Sequence, residues 1–156
     1  MAHSLAKSLL HNAGVLAVSF GVGALGVAID RLLKLPRFPG VAAALSGAVL
    51  LSAGFALRVW ATWHFYQRQM RVIVLEPQSD LITDGPFRFS RNPLYLGGNV
   101  FMFLGAALAL GSTGGVAITV LGLVPTDVMI RREERQLEAR FGAAWREYAS
   151  RVRRWL

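Results

Sequence analysis

The chain has no cysteine among its 156 residues, which excludes disulfides, thiolate nucleophiles and cysteine-ligated metals. Charge is scarce as well: Asp, Glu, Lys and Arg together make up 17%, against 54% hydrophobic residues, and the mean hydropathy is +0.44. Soluble domains of this size seldom carry so few charges, so the sequence reads as an integral membrane protein with a single domain over residues 1–156. Acidic residues are the rarer sign, nine against 17 Lys and Arg, for a formal net charge of +8. Eight of the basic residues lie beyond residue 130, an excess suited to an anionic membrane surface or ligand. Nucleic acid would need a basic face on a soluble module, and no such partner is expected. Metal-ligand spacings and a Ser-His-Asp arrangement are also missing, so no metal is expected. No cleavage site stands out in the first apolar run, which reads as a span rather than a signal peptide.

What is present is a series of apolar runs. Residues 13–29 carry no charge and close on Asp30-Arg31, predicting a first span over about 13–33. The Pro36-Arg37-Phe38-Pro39 stretch breaks helix. A second span over about 41–63 runs into Trp60, Trp63, Phe65 and Tyr66, rings that favour the headgroup region. Residues 67–92 form the one extended polar segment, with a short strand or interfacial stretch at 72–75 and a turn at Asp84-Gly85-Pro86. Third and fourth spans follow at about 93–110 and 115–130, joined by an uncharged glycine-rich turn. Residues 131–150 read as an amphipathic helix, because Leu137, Phe141, Trp145 and Tyr148 fall at steps of four, four and three. The expected fold is thus all-α, with about four transmembrane helices, a polar loop and an amphipathic C-terminal helix.

Four spans would put the N-terminus, the polar segment and the C-terminal helix on one side. That side carries 14 Lys and Arg and the other three, which makes it cytoplasmic by the positive-inside rule. A multi-pass protein of the cell (inner) membrane is expected, with both termini cytoplasmic.

Several features could carry chemistry. Gly21-Val22-Gly23-Ala24-Leu25-Gly26 spells a dinucleotide fingerprint, but inside a continuous apolar helix small residues serve close helix packing instead. The block Arg88–Gly97 contains Arg91-Asn92-Pro93-Leu94-Tyr95. Pro93 suits the first turn of a helix whose N-terminus forms an anion site; Arg91 adds a charged donor and Tyr95 a hydroxyl. The same residues also suit plain interfacial anchors. Glu133 and Glu134 stand just past the fourth run, where carboxylates are costly unless used or wetted. Salt bridges from Glu134 and Glu138 to Arg131 and Arg135 are the alternative use. Arg58, Asp127 and His64 lie nearest the apolar interior, as functional candidates or as snorkelling and mutually paired groups. Arg151-Val152-Arg153-Arg154 reads as an anchor to anionic lipid.

Arg-x-Pro-x-Tyr-x-Gly, an apolar hairpin, Glu-Glu and then Phe141-Gly142, Trp145 and Tyr148 together resemble the isoprenylcysteine carboxyl methyltransferase / phospholipid methyltransferase family. The resemblance covers roughly residues 75–153. It implies an integral membrane enzyme using S-adenosylmethionine, with S-adenosylhomocysteine as product. By that resemblance Leu81 and Ile82 line the adenosine, Phe87 supplies a ring where a tyrosine is common, and Arg91, Asn92, Pro93, Leu94, Tyr95 and Gly97 form the cofactor segment. Glu133 and Glu134 would hold the ribose and amino group. Asn92 replaces the family's histidine, so it can hydrogen-bond but not titrate near neutrality. The prenylcysteine branch places a substrate-binding arginine at the position of Met129; here Arg131 and Arg132 come later. Met129, Arg132 and Arg58 are the expected substrate contacts. Transfer of an already activated methyl needs mainly alignment and exclusion of water. A carboxylate acceptor needs no base; an amine does, and Asp127 and His64 are the candidates. The expected acceptor is a lipophilic small molecule or lipidated substrate beside membrane lipid, entering laterally. An NADPH-dependent membrane reductase or a non-enzymatic four-span protein would explain the hydropathy too.

Overall fold

Where the apolar runs end and the breakers fall decides the architecture. The computed structural model describes residues 2–72 and 79–156. The helices are α1 (Ala2–Leu32), α2 (Val41–Gln67), α3 (Pro93–Ala109), α4 (Thr113–Phe141) and α5 (Ala143–Arg151); a 3₁₀ turn over Gly85–Arg88 lies between α2 and α3, and the other connections are short. No strand occurs among the described residues; the expectation of a strand or interfacial stretch at 72–75 falls, from residue 73 on, outside them. α1, α2 and α4 are long and apolar enough to cross a bilayer. α3, with 17 residues, is shorter, about 25 Å at 1.5 Å per residue against a hydrocarbon core of about 30 Å.

Two boundaries differ from the sequence expectation. α1 starts at Ala2 rather than near residue 13, because backbone hydrogen bonding continues through the polar residues before the apolar run. α4 does not stop at residue 130 but continues to Phe141, past the change from apolar to charged sequence. The break comes at Gly142, whose φ of 53° suits glycine, and α5 follows at once. Pro125 sits within α4; one turn of that helix is braced by the Thr126 hydroxyl, which donates to the Gly122 carbonyl at 2.8 Å and accepts from Asn99 of α3 at 2.9 Å.

Glycines let the helix backbones meet. A Cβ on Gly47 would lie 2.4 Å from the Ala109 nitrogen, and one on Gly54 would lie 2.5 Å from the Gly97 carbonyl oxygen, so α2 and α3 touch backbone to backbone. Gly26 of α1 meets Gly115 of α4 in the same way, with 2.3 Å between the added Cβ and the Gly115 Cα. Within the fingerprint-like run, Gly23 and Gly26 therefore serve packing, while Gly21 faces open space. Small polar side chains share the interior with apolar ones, and the outside is apolar: Ser8, Asn12, Ser19, Thr62, Thr119 and Thr126 are buried beside Ala61, Met102, Ala106 and Ile130, whereas Leu10, Val18, Leu45, Val49, Leu121 and Val124 are exposed. That apolar exterior suits a lipid solvent, in which apolar side chains gain nothing by hiding from their surroundings.

At the end of the bundle formed by residues 30–40 and 110–115, Asp30 is buried at 1% exposure. Its carboxylate accepts from the Ser112 hydroxyl at 2.6 Å and the Gly114 amide at 2.6 Å, capping the N-terminus of α4 from another helix. Arg37 approaches it at 3.9 Å and also donates to the Leu110 carbonyl at 2.7 Å. The opposite end carries the polar loop.

Candidate active site

The polar loop is fixed from two directions. Arg68, one residue past α2, holds Asp84 at 2.8 Å and Asp80 at 3.4 Å, and His64 lies 3.7 Å from Asp84. Burial alone would raise the Asp84 carboxyl, but the Arg68 hydrogen bond and charge outweigh it and hold Asp84 below the usual carboxylate range. Gly85 follows with φ 57°; a Cβ there would lie 2.2 Å from His64 Nε2, so only glycine fits this turn.

The second direction is the segment after α5. The Arg91 amide donates to the Arg153 carbonyl at 2.9 Å, and the Ser90 hydroxyl and Asn92 side-chain amide donate to the Arg154 carbonyl at 3.2 Å each. The Arg154 guanidinium grips Glu134 at 2.6 and 3.2 Å and reaches Asp127 at 3.4 Å. Glu134 also takes Arg91 Nη2 at 3.2 Å. Arg154 is thus a clamp on the loop rather than the lipid anchor expected, and the hydrogen bonds it donates to Glu134 raise its pKa further. Glu134 likewise pairs across the fold, not with its helical neighbours Arg131 and Arg135. The Tyr148 hydroxyl donates to the Phe87 carbonyl at 2.8 Å, and burial pushes its phenol up, so it remains a donor at working pH.

These contacts build a cleft. Its walls include Leu81, Ile82, Phe87, Arg91, Asn92, Pro93, Leu94, Tyr95, Glu133 and Glu134, so ten of the eleven residues expected at a cofactor site meet in one place. The eleventh, Gly97, is not among them. Two residues beyond Tyr95 on a helix points to the other face, and there Gly97 packs on Arg58, whose Cγ would lie 2.8 Å from an added Cβ. Phe65, Leu137, Trp145 and Tyr148 complete the cleft; Trp145 stacks edge-on with Tyr148 at 5.6 Å and carries Arg91 over its face at 5.7 Å. Its cavity volume is about 50 Å³, within about 520 Å³ of space between the walls that includes open solvent.

Behind the cleft lies a chamber of about 490 Å³ lined mainly by α1, α2, α3 and α4. Phe65, Leu94, Tyr95 and Glu133 belong to both cavities, so the partition is one residue thick. In it the Tyr95 hydroxyl donates to Glu133 Oε1 at 2.9 Å. Of the expected substrate contacts, Arg58 and Met129 line the chamber; Arg132 instead faces an exposed groove with Arg135. Neither candidate base lines cleft or chamber. Asp127 is held by Arg131 at 2.6 Å and by Arg154, and His64 packs into the loop anchor. His11 and Asn99, not singled out in the sequence, do line the chamber. The polar pair His11-Asn12, just ahead of the first apolar run, was the signal available.

The cleft suits a ligand with a ring, hydroxyls and a carboxylate. Phe87, Trp145 and Tyr148 offer aromatic faces, Glu133 and Glu134 accept hydrogen bonds, and the first turn of α3 opens on it. Arg91 Nε is buried there without a partner among the described residues, a donor left for a ligand.

No curated protein and no solved structure matches this chain. A family model described as phospholipid methyltransferase matches residues 42–144, about two thirds of its length.

Proposed function

Since the chain belongs to the phospholipid methyltransferase family, we propose that it is a membrane enzyme that binds S-adenosylmethionine in the cleft and methylates a lipophilic acceptor held in the chamber. The observation that carries this reading is the shared wall: two cavities, one ringed by aromatic side chains and paired carboxylates and the other set among the long helices, meet at Tyr95 and Glu133. The family and the apolar helices make it a membrane methyltransferase; cofactor and acceptor are our assignment.

When bound, the sulfonium supplies a methyl group already activated for attack. The residues of this chain then have to bind, orient and keep water away. Glu133 and Glu134 accept from hydroxyl and amino groups, with Arg91 and Arg154 neutralising Glu134 so that two carboxylates can stand side by side. The α3 N-terminus and Arg91 Nε suit a carboxylate. Tyr95 fixes one oxygen of Glu133 and separates the two ligands at the distance of a single side chain. Phe65 and Leu94 line both sides of the partition with apolar surface. The loop and α5 side carries most of the basic residues, which supports a cytoplasmic cleft in the cell membrane.

Calorimetric titration of the detergent-purified protein with S-adenosylmethionine, S-adenosylhomocysteine and NADPH tests the assignment. Saturable binding of the first two is expected, lost in Glu133→Ala. Binding of NADPH alone, or of none of the three by folded protein, overturns it.

A further inference from the structure

The junction of loop and tail turns apolar and cationic side chains outward. Phe89 is 65% exposed although it stands in the polar loop. Leu156, two residues past the Arg154 carbonyl that accepts from Ser90, is 65% exposed as well. Arg88 and Arg153 are exposed too, and neither guanidinium has a hydrogen-bond or ion-pair partner among the described residues. Apolar side chains scattered singly on a surface carry no message. Phe89 is not isolated, however: its ring packs on Trp60 of α2 with centroids 6.4 Å apart, and Trp60 is itself exposed.

Helix lengths give the height of this patch. The Phe38 amide donates to the Gly111 carbonyl at 3.1 Å, so α2 begins and α3 ends at one level. Counted from Val41, a hydrocarbon core of about 30 Å takes about 20 residues at 1.5 Å each, which brings its far boundary to Trp60. α3 covers only about 25 Å on the way back to Pro93, so residues 89–92 sit at headgroup level. Both counts put Trp60 and Phe89 in the layer that aromatic rings favour, and their mutual contact agrees. Charge points the same way. Most of the 17 Lys and Arg lie at this end of the bundle, where phosphate headgroups supply the opposite sign.

We propose that this junction binds anionic lipid headgroups of the surrounding bilayer, with Arg88 and Arg153 on phosphates and Phe89 and Leu156 lodged beside them, and that the bound lipid braces the loop wall of the cleft. The lipid is the membrane surface, outside both cavities. Its grip reaches the cleft because the same two segments are tied together from the inside. The Arg91 amide and the Asn92 side chain hold the carbonyls of Arg153 and Arg154, Arg91 and Asn92 line the cleft, and the Arg154 guanidinium holds Glu134. A lipid that binds the closed clamp better than the open one raises the affinity of the cleft's ligand by the same factor. Each arginine near an anionic surface adds about 5-fold, so the pair sets a ceiling of about 25-fold. The bracing rests on the methyltransferase reading; the headgroup contact does not.

Because the chain has no cysteine, a nitroxide can be placed singly on the full-length protein in lipid nanodiscs, at Phe89→Cys, at Leu156→Cys and, as a control on α5, at the exposed Glu147→Cys. Labels at 89 and 156 should collide more with membrane-dissolved oxygen than with an aqueous nickel chelate, and the label at 147 the reverse. The label at 89 should also move more slowly in phosphatidylglycerol discs than in phosphatidylcholine discs. That difference should vanish with Arg88→Gln and Arg153→Gln together, two side chains that hold nothing else among the described residues. Ligand binding is read with S-adenosylhomocysteine, which has no net charge and is not concentrated by the surface potential. It should bind the wild type about 5- to 25-fold more tightly in the anionic discs, and the double variant equally in both. Preference for nickel at 89 and 156, or access to neither reagent as in a contact with a second copy, overturns the site. Equal wild-type affinity in the two discs overturns the bracing. Anion-dependent label motion without S-adenosylhomocysteine binding in either disc would instead sink the methyltransferase reading and leave the headgroup site standing.

Discussion

Asp30 offers a measurement in which two opposing costs can be separated. Replacing it by alanine removes both its bonds to α4, at 2.6 Å from Ser112 Oγ and 2.6 Å from the Gly114 amide, and leaves those donors buried. Each hydrogen bond to a charged partner contributes about 1.5–3 kcal/mol, and an N-cap about 1 kcal/mol. Against that, deleting a nearly fully buried carboxylate relieves its desolvation, partly offset already by Arg37 at 3.9 Å. The net loss for Asp30→Ala should be roughly 2–4 kcal/mol. Asp30→Asn keeps an acceptor for Gly114 and can turn its amide toward Ser112 Oγ, which accepts from Gly115 as well, so it should cost only about 1 kcal/mol. Unfolding by sodium dodecyl sulfate in mixed micelles, followed by helical circular dichroism, gives both numbers. Cofactor affinity at the far end of the bundle should be unchanged in either variant. If alanine costs no more than asparagine, the cap is not what holds the α4 terminus and the argument fails.

Two further outcomes follow from the cleft. Tyr148→Phe deletes a buried hydroxyl that donates 2.8 Å to Phe87, so stability should fall by about 1–2 kcal/mol and S-adenosylmethionine should bind several-fold more weakly in calorimetry. Asp84, held below the usual carboxylate range by Arg68, contributes stability that is full above its unfolded pKa and lost as pH falls through the lower folded value. Wild type and Asp84→Asn should therefore differ modestly at pH 7 in unfolding midpoint and converge in acid, below the ordinary aspartate range of about 3.9. A constant difference across that range would contradict the Arg68 pairing.

Much of the cleft could be read from the sequence because its parts are local. Residues 81–95 form one turn-rich block, and Glu133-Glu134 mark the charge step beyond the apolar hairpin, so a short loop and two packed helices suffice to bring them together. Gly97 was misplaced because linear adjacency ignores the helical turn that sends it toward Arg58. The docking of residues 149–154 on the loop was not legible. It is made of backbone carbonyls of Ala149, Arg153 and Arg154, which every sequence possesses, and of one arginine among eight similar ones. His11 escaped notice because a polar pair at the edge of an apolar run reads as its end, whereas α1 simply continues through it. The extension of α4 to Phe141 has the same cause: hydropathy changes at residue 131, but helix hydrogen bonds do not depend on it.

The loop-to-tail clamp also imposes an order of events during synthesis. The Ser90 hydroxyl, the Arg91 backbone amide and the Asn92 side-chain amide find their carbonyl partners, and Glu134 its second arginine, only when residues 149–154 arrive, after both helices of the α3–α4 hairpin have been made. A ribosome that has released α4 has therefore produced a bundle able to sit in the bilayer but with one wall of its cleft still missing. Any stabilisation that a small ligand lends this protein can act only after that point. Insertion into the membrane must succeed without that wall, on the hydropathy of the helices, and the glycine contacts among α1, α2, α3 and α4 are suited to hold them together meanwhile.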